Sequence, residues 1–327
     1  MADILTVGRA FQQGMAEEMA RDERIFVVGT DLFRRGGHFG EMRGLGEAYG
    51  PDRVRDAPIS EAAMCLAGIG AALAGMRPVV DMNFIDFTLS AMDEIVNQAA
   101  KIRYLWGRPV PLLIRGTAGT AGYACQHNNS LEATFAHHPG LVVVEPATPA
   151  DTKGMLKSAL RGDDPVVFFM HKKLGGLRGP VGGADDLVPL GRAVRRRRGR
   201  SVTIVTFGLM VHTSLEAADD LAADGVEAEV IDLRTVFPLD LELAVASLRK
   251  TGRAFVVAEE TPFAGIAAEV AATLQEAAFD YLDAPVHRLT LPNAPVPHSP
   301  VLVEGMVPSA ADIANLVRRS ITTARSG

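Results

Sequence analysis

Short runs rich in β-branched residues alternate with longer Ala- and Leu-rich segments along the whole chain, and this alternation restricts the fold more than any other feature. Strands that come singly between helices are joined by crossovers, which build a parallel sheet with helices packed on its faces. The first half offers strands over residues 25–29, 78–81, 111–115, 141–145 and 165–169, most of them bounded by Pro or Gly. Helices are predicted over 61–75, 89–106 and 150–161. Ser60 reads as the N-cap of the first of these, and Thr148-Pro149 opens the third with Asp151 in its first turn.

Between Lys172 and Arg200 the composition shifts to Gly, Arg and Pro, with Gly175, Gly176, Gly179, Gly182 and Gly183 clustered. A domain boundary belongs there. Beyond it the alternation resumes on a smaller scale, with strands over 202–206, 228–231, 254–258 and 286–289 and helices over 213–223, 266–281 and 310–322. The chain therefore divides into a domain over 1–175, a linker over 176–200 and a smaller α/β domain over 201–327. Its 327 residues suit two domains at roughly 150 residues each.

With a net charge of −6, the chain offers no electrostatic basis for binding nucleic acid or an anionic membrane surface. Cys65 and Cys125 are the only cysteines and form neither a disulfide framework nor a CxxC metal spacing, so both read as small buried hydrophobes in a reducing compartment. The N-terminus lacks a positive segment followed by an apolar stretch, and no apolar run approaches the roughly 20 residues of a membrane helix. A cytoplasmic location is expected.

Three residues stand where chemistry is plausible on local grounds. Glu61 follows the presumed N-cap and leads an apolar helix; macrodipole complementarity alone would place a carboxylate there. Held in a dry pocket, the same acid would exchange a proton with a bound heteroaromatic ring. Phe87, in Phe84-Ile-Asp-Phe87, lies just after the second strand, at a carboxyl end where open α/β sheets bind ligands, although core packing is the ordinary use of a Phe. His127 sits in the polar loop Gly122-Tyr-Ala-Cys-Gln-His-Asn-Asn-Ser after the third strand, as either a surface residue or a proton donor and acceptor. His137 and His138 point about 100° apart on a helix and make a poor metal pair. The run Arg195-Arg-Arg-Arg198 reads as a solvated turn before a strand. Neither GxGxxG after a strand nor Walker A is present, which removes support for a dinucleotide or P-loop site.

Taken in order, several segments carry a resemblance. They are Arg53-Val-Arg-Asp-Ala-Pro-Ile-Ser-Glu61, Gly75-Met-Arg-Pro78, Asn97-Gln-Ala-Ala-Lys-Ile-Arg-Tyr104, Gln126-His127, His138-Pro-Gly-Leu141 and Asp163-Asp-Pro-Val166. Gly225-Val-Glu-Ala-Glu-Val-Ile-Asp-Leu-Arg-Thr235, Pro238 and Pro295-Val-Pro297 extend the series. The chain resembles the beta subunit of the thiamine diphosphate-dependent component of 2-oxo acid dehydrogenases, the acetoin-cleaving and branched-chain types above all, within the transketolase-like superfamily. The resemblance implies a parallel-sheet pyrimidine-binding domain followed by a smaller α/β transketolase C-terminal domain.

It also implies roles, position by position. Glu61 matches the glutamate that contacts the aminopyrimidine and favours the tautomer that activates the coenzyme, and Phe87 matches the aromatic beside it. His127 matches the active-site histidine implicated in acyl transfer to lipoamide. Asp31 lies in the stretch after the first strand that runs close to the cofactor. Backbone carbonyls of Leu112, Ala159, Gly162 and Asp164 match a structural potassium site. The GDG with its downstream Asn that clamps diphosphate and magnesium is missing from this sequence, and in the family it belongs to the alpha subunit. An alpha2-beta2 heterotetramer follows, with a dihydrolipoyl acyltransferase core as a further partner.

Thr30-Asp31, Asn128-Asn129 and Met170-His171-Lys172 depart from the usual pattern, and each bears on substrate and acceptor rather than on fold. Three functions stay open at this level: a subunit cleaving a 2-oxo acid or acetoin and passing the acyl unit to lipoamide, a transketolase-like or acyloin-forming pair, or a non-catalytic structural subunit.

Overall fold

The computed structural model describes residues 3–323. The chain forms two compact units. The first takes the residues up to Ala118 together with Thr134–Leu190, and the second takes Gly119–Ala133 together with the residues from Gly191 on.

In the first unit the strands are β1 (Asp3–Thr6), β2 (Ile25–Gly29), β3 (Val54–Asp56), β4 (Arg77–Phe84), β5 (Leu113–Ala118), β6 (Val142–Val144), β7 (Val166–His171) and β8 (Arg178–Val181). Its helices are α1 (Val7–Arg21), α2 (Leu45–Tyr49), α3 (Glu61–Leu73), α4 (Ala100–Trp106) and α6 (Pro149–Arg161), with α5 (Glu132–Ala136) spanning the division. Strands β6, β7, β5, β4, β2 and β3 lie side by side in that order, all parallel, while β1 pairs antiparallel with β8. Every residue of β5 and β7 is buried, as expected for central strands covered on both faces.

Local chemistry explains most of these elements. Thr148 caps α6 as its sequence predicts, its Oγ1 accepting the Asp151 N–H at 3.1 Å. Ser60 does not cap α3: its hydroxyl donates back to the Pro58 carbonyl at 3.0 Å, so Glu61 starts the helix without a side-chain cap. The helix predicted over 89–106 is broken into a 3₁₀ segment, Ile85–Ala91, a π segment, Asp93–Ala99, and α4. Close approach to β5 accompanies the tight first segment, because a Cβ on Gly116 would lie 2.7 Å from Ile85 Cα. Helix α1 has no counterpart in the sequence reading. Gln12, Gln13, Glu17 and Glu18 interrupt its apolar pattern, yet Phe11, Met15 and Met19 are buried, and Glu18 turns inward to meet Arg161 of α6 at 2.6 Å.

In the second unit the strands are β9 (Val194–Arg197), β10 (Val202–Thr206), β11 (Ala228–Asp232), β12 (Thr235–Phe237), β13 (Ala254–Val257) and β14 (His287–Leu289). The helices are α7 (Met210–Ala223), α8 (Glu242–Thr251), α9 (Ile266–Ala277), α10 (Pro300–Glu304) and α11 (Ala310–Thr323). Five strands form a sheet in the order β14-β13-β10-β11-β9, parallel except for β9. Val202, Ile204, Val230, Phe255 and Val257 pack against Leu221 of α7 and Ile313 and Val317 of α11. Each such side chain contributes roughly 1.5–3 kcal/mol by leaving water.

The arginine run is not a solvated turn. Arg195–Arg197 lie on β9 opposite the acidic strand β11, where Arg195 meets Glu229 at 3.3 Å and Arg196 meets Asp232 at 2.8 Å. Arg197 pairs with Asp219 of α7. An extended strand gives each guanidinium its own carboxylate, which a run of like charge in a turn would not. Among the described residues, no helix is long and apolar enough to cross a membrane.

Candidate active site

The carboxyl ends of the first unit's parallel strands are organised around one buried cation. Arg115 on β5 is 1% exposed; it holds both Asp81 oxygens at 3.0 and 3.1 Å and Glu41 at 2.6 Å. These two carboxylates overcome the desolvation of the guanidinium and raise its affinity for the proton. Asp81 also accepts the Asn83 N–H at 2.8 Å, Asn83 Oδ1 accepts the His38 N–H at 3.2 Å, and Thr117 donates to the Asn83 carbonyl at 2.8 Å. The network ties the end of β4 to the irregular segment 30–44. Glu41, Asp81 and Arg115 carry no local motif, so nothing in the sequence marks any of the three.

Asp31 begins that segment in the left-handed region, φ 58°, exposed and 3.6 Å from Arg35. Beneath it, Asp56 accepts the N–H groups of Leu32 and Phe33, at 2.5 and 3.0 Å, so the main chain turns over the end of β3.

The structure brings Glu61 and Phe87 together. Ser90 Oγ lies 3.4 Å from Glu61 Oε2 and 2.8 Å from the Phe87 carbonyl, linking the first turn of α3 to the 3₁₀ segment. Glu61 is half-buried rather than enclosed in this chain, and Phe87 leaves over a third of its surface exposed at 37%. Behind Phe87 stands an aromatic group: Phe84 at 6.0 Å, edge-on, with His38 and Phe39 at 5.1 and 5.6 Å from Phe84 and the Lys172 ammonium 5.4 Å from its ring. Cys65, one turn along α3, is buried, and burial together with the charges of Glu94 and Glu61 pushes its thiol up to about 12, which leaves it an inert core residue. Cys125, expected to be buried, is exposed. A half-buried carboxyl tied through Ser90 to the segment that carries a partly exposed Phe suits a planar heteroaromatic ring that trades a proton with the acid.

His127 belongs to the second unit, in the 3₁₀ turn Cys125–His127 of the Gly119–Ala133 segment. Asn128, buried, closes this loop on itself: Oδ1 accepts from Ala121 N at 2.9 Å and Tyr123 N at 3.5 Å, and Nδ2 donates to the Ala124 carbonyl at 2.6 Å. The departure at 128 thus has a structural use, since an amide donates and accepts at once. The Thr120 N–H donates to Glu259, and Glu132 at the start of α5 is buried near the charges of Glu259 and Glu260. Burial pushes the Glu132 carboxyl up to about 7. Glu260 caps α9, accepting from Ile266 N at 2.8 Å and Ala267 N at 2.6 Å.

The four carbonyl positions singled out for a cation are engaged in part. The Leu112 oxygen accepts from Val166 N at 2.9 Å, the Ala159 oxygen from Gly162 N at 3.2 Å, and the Gly162 oxygen from Arg77 at 2.5 Å, while the Asp164 side chain pairs with Arg103.

Residues 4–176 match the transketolase pyrimidine binding domain, and residues 191–313 match the transketolase C-terminal domain. A split-gene transketolase, solved as an inactive beta4 tetramer, superimposes with a TM-score of 0.80 over 97% of this chain and 98% of its own at 23% identity, which shows the fold. The class is therefore a transketolase-type chain of two domains, from a thiamine diphosphate-dependent group of enzymes. The chain is 44% identical over 299 residues to the 2-oxoisovalerate dehydrogenase subunit beta of Bacillus subtilis (strain 168), covering 90% of this chain and 91% of that one. It is 43% identical over 335 residues to the beta subunit of the acetoin:2,6-dichlorophenolindophenol oxidoreductase of Cupriavidus necator, covering 98% of each. To the pyruvate dehydrogenase E1 component subunit beta of Rickettsia bellii it is 41% identical over 318 residues, covering 96% and 98%. The chain belongs to this family of E1 beta subunits of 2-oxo acid and acetoin dehydrogenases, and it is an enzyme subunit.

Proposed function

We propose that this chain, with an alpha partner, cleaves a 2-oxo acid or acetoin and passes the acyl unit to lipoamide in the cytoplasm. The placement of Glu61 beside Phe87 through Ser90 is the observation that carries this reading. When bound, thiamine diphosphate supplies a carbon nucleophile for the 2-oxo carbon. Glu61 holds and exchanges the proton at the pyrimidine nitrogen, and Phe87 offers its exposed face to the same ring. Asp31, at the start of the 30–44 segment, is counted with the same cofactor site. His127 delivers or receives a proton as the acyl group leaves. The alpha partner grips the diphosphate and magnesium, completes the enclosure of Glu61 and joins this chain in a heterotetramer that docks on an acyltransferase core. A structural potassium ion on the carbonyls of Leu112, Ala159, Gly162 and Asp164 would share the Gly162 oxygen with Arg77 and use lone pairs that the backbone bonds leave over.

The test is Glu61→Gln, co-expressed with the alpha chain and assayed for substrate-dependent dye reduction and for acyl-lipoamide. Loss of proton exchange lowers kcat by about 10²–10⁴-fold with an unchanged melting temperature. Full activity in the assembled variant would remove Glu61 from the chemistry and end this reading.

A further inference from the structure

The loop bearing His127 contains a conformation that it does not hold by itself. Ala124 sits at φ 68°, ψ 168°, a region that a side chain disfavours, so the surroundings must supply the restraint. Its carbonyl is fixed from within, by Asn128 at 2.6 Å, and also receives the His127 N–H at 3.4 Å. Its N–H points elsewhere in the second unit, to His298 Nδ1 at 3.0 Å. Two residues earlier the fit is tight as well, since a Cβ on Gly122 would lie 3.3 Å from the His298 carbonyl oxygen.

His298 is mounted on anchored chain. Val296 is buried in a small core with Leu291 and Val303, and Pro300 opens α10 two residues further on. The exposed imidazole therefore presents an acceptor from a stretch of main chain that Val296 and α10 anchor on either side. Nδ1 accepts only when the ring proton is on Nε2, so the contact also fixes the tautomer.

We propose that His298 is a positioning residue for the acyl-transfer step: its Nδ1 holds the Ala124 N–H, keeps the 124–127 turn in its left-handed start and so sets the direction of His127. This rests on the role given to His127 above. His298 itself touches no reacting atom. Its effect reaches the chemistry through three residues of main chain, and a misdirected proton donor slows turnover while leaving substrate binding alone.

Two variants of the assembled enzyme separate the hydrogen bond from the ring. His298→Phe keeps a planar ring and removes the acceptor, whereas His298→Asn places an oxygen near the Nδ1 position. We expect kcat of the Phe variant to fall about 3–10-fold, the worth of one hydrogen bond, with KM within about twofold. The Asn variant returns kcat to within about twofold of the parent. Hydrogen exchange of the peptide covering residues 119–131 accelerates in the Phe variant and not in the Asn variant. Unchanged exchange and unchanged kcat in His298→Phe overturn the proposal, as does equal damage in both variants, which would make the role one of packing. Exchange is read without turnover, so an inactive parent enzyme would sink the functional reading while the two exchange curves still decide the pin.

Discussion

The segment 30–44 after β2 and the segment 119–131 after β5 are both irregular, and both carry residues assigned to the site, but they are fixed by different forces. The first is held from below by a buried arginine between two carboxylates, Glu41 at its far end and Asp81 on the neighbouring strand. The second is closed by an amide, Asn128, and tied down by single backbone bonds to Glu259 and His298. A buried ion network tolerates no missing member, because whatever remains is an unpaired charge away from water. A loop fastened by single hydrogen bonds loosens by degrees, one bond at a time. In the proposed function, the first segment is then a rigid platform and the second an adjustable arm for His127.

Arg115→Met should break this contrast most sharply. It strands Asp81 and Glu41 together, and urea unfolding should show a loss of about 3–5 kcal/mol. A loss below about 1 kcal/mol would put the network on a par with a surface pair and collapse the distinction. Next is the proton on Glu132. Its folded carboxyl is raised to about 7, so between its ordinary value of 4.5 and about 7 the folded chain binds a proton that the unfolded chain releases. Stability from this group is complete below about 4.5 and is lost as pH rises through 7. Comparing Glu132→Gln with the parent at pH 5 and pH 8, the parent should lose on the order of 3 kcal/mol relative to the variant. A variant with the parent's pH slope would show that the second loop does not rest on a neutral acid. The smallest effect belongs to Asn128→Ala, which deletes the clasp but leaves both outside ties: about 1–3 kcal/mol, with faster proteolytic nicking confined to 119–131. Global unfolding at that cost would mean that the arm is as rigid as the platform.

Much of the architecture can be read from residues alone, because strands such as Val202–Thr206 are short β-branched runs followed by an unambiguous helix. Glu61 and Phe87 are singled out by the resemblance, each next to a recognisable break, and the structure links their segments through Ser90. What stayed hidden is pairing at a distance. Arg115 finds Asp81 34 residues away and Glu41 74 residues away, while Thr120 and Ala124 find Glu259 and His298 at separations of 139 and 174. No period or spacing encodes such contacts. Helix α1 escaped because its inward-facing Glu18 looks like a surface residue until Arg161 is placed opposite it, and the arginine run misled for the converse reason. The grouping of Gly119–Ala133 with the second unit has no compositional mark either.

Among the described residues, β11 is the one hydrogen-bonded neighbour of strand β9, which leaves the kind of border where a stray strand from another molecule can add. Three guanidiniums along so short a border make it a costly landing place for newcomers, and their partners on β11 and α7 keep them anchored there. The same residues that stitch the sheet together thereby make its open edge a poor template for another strand.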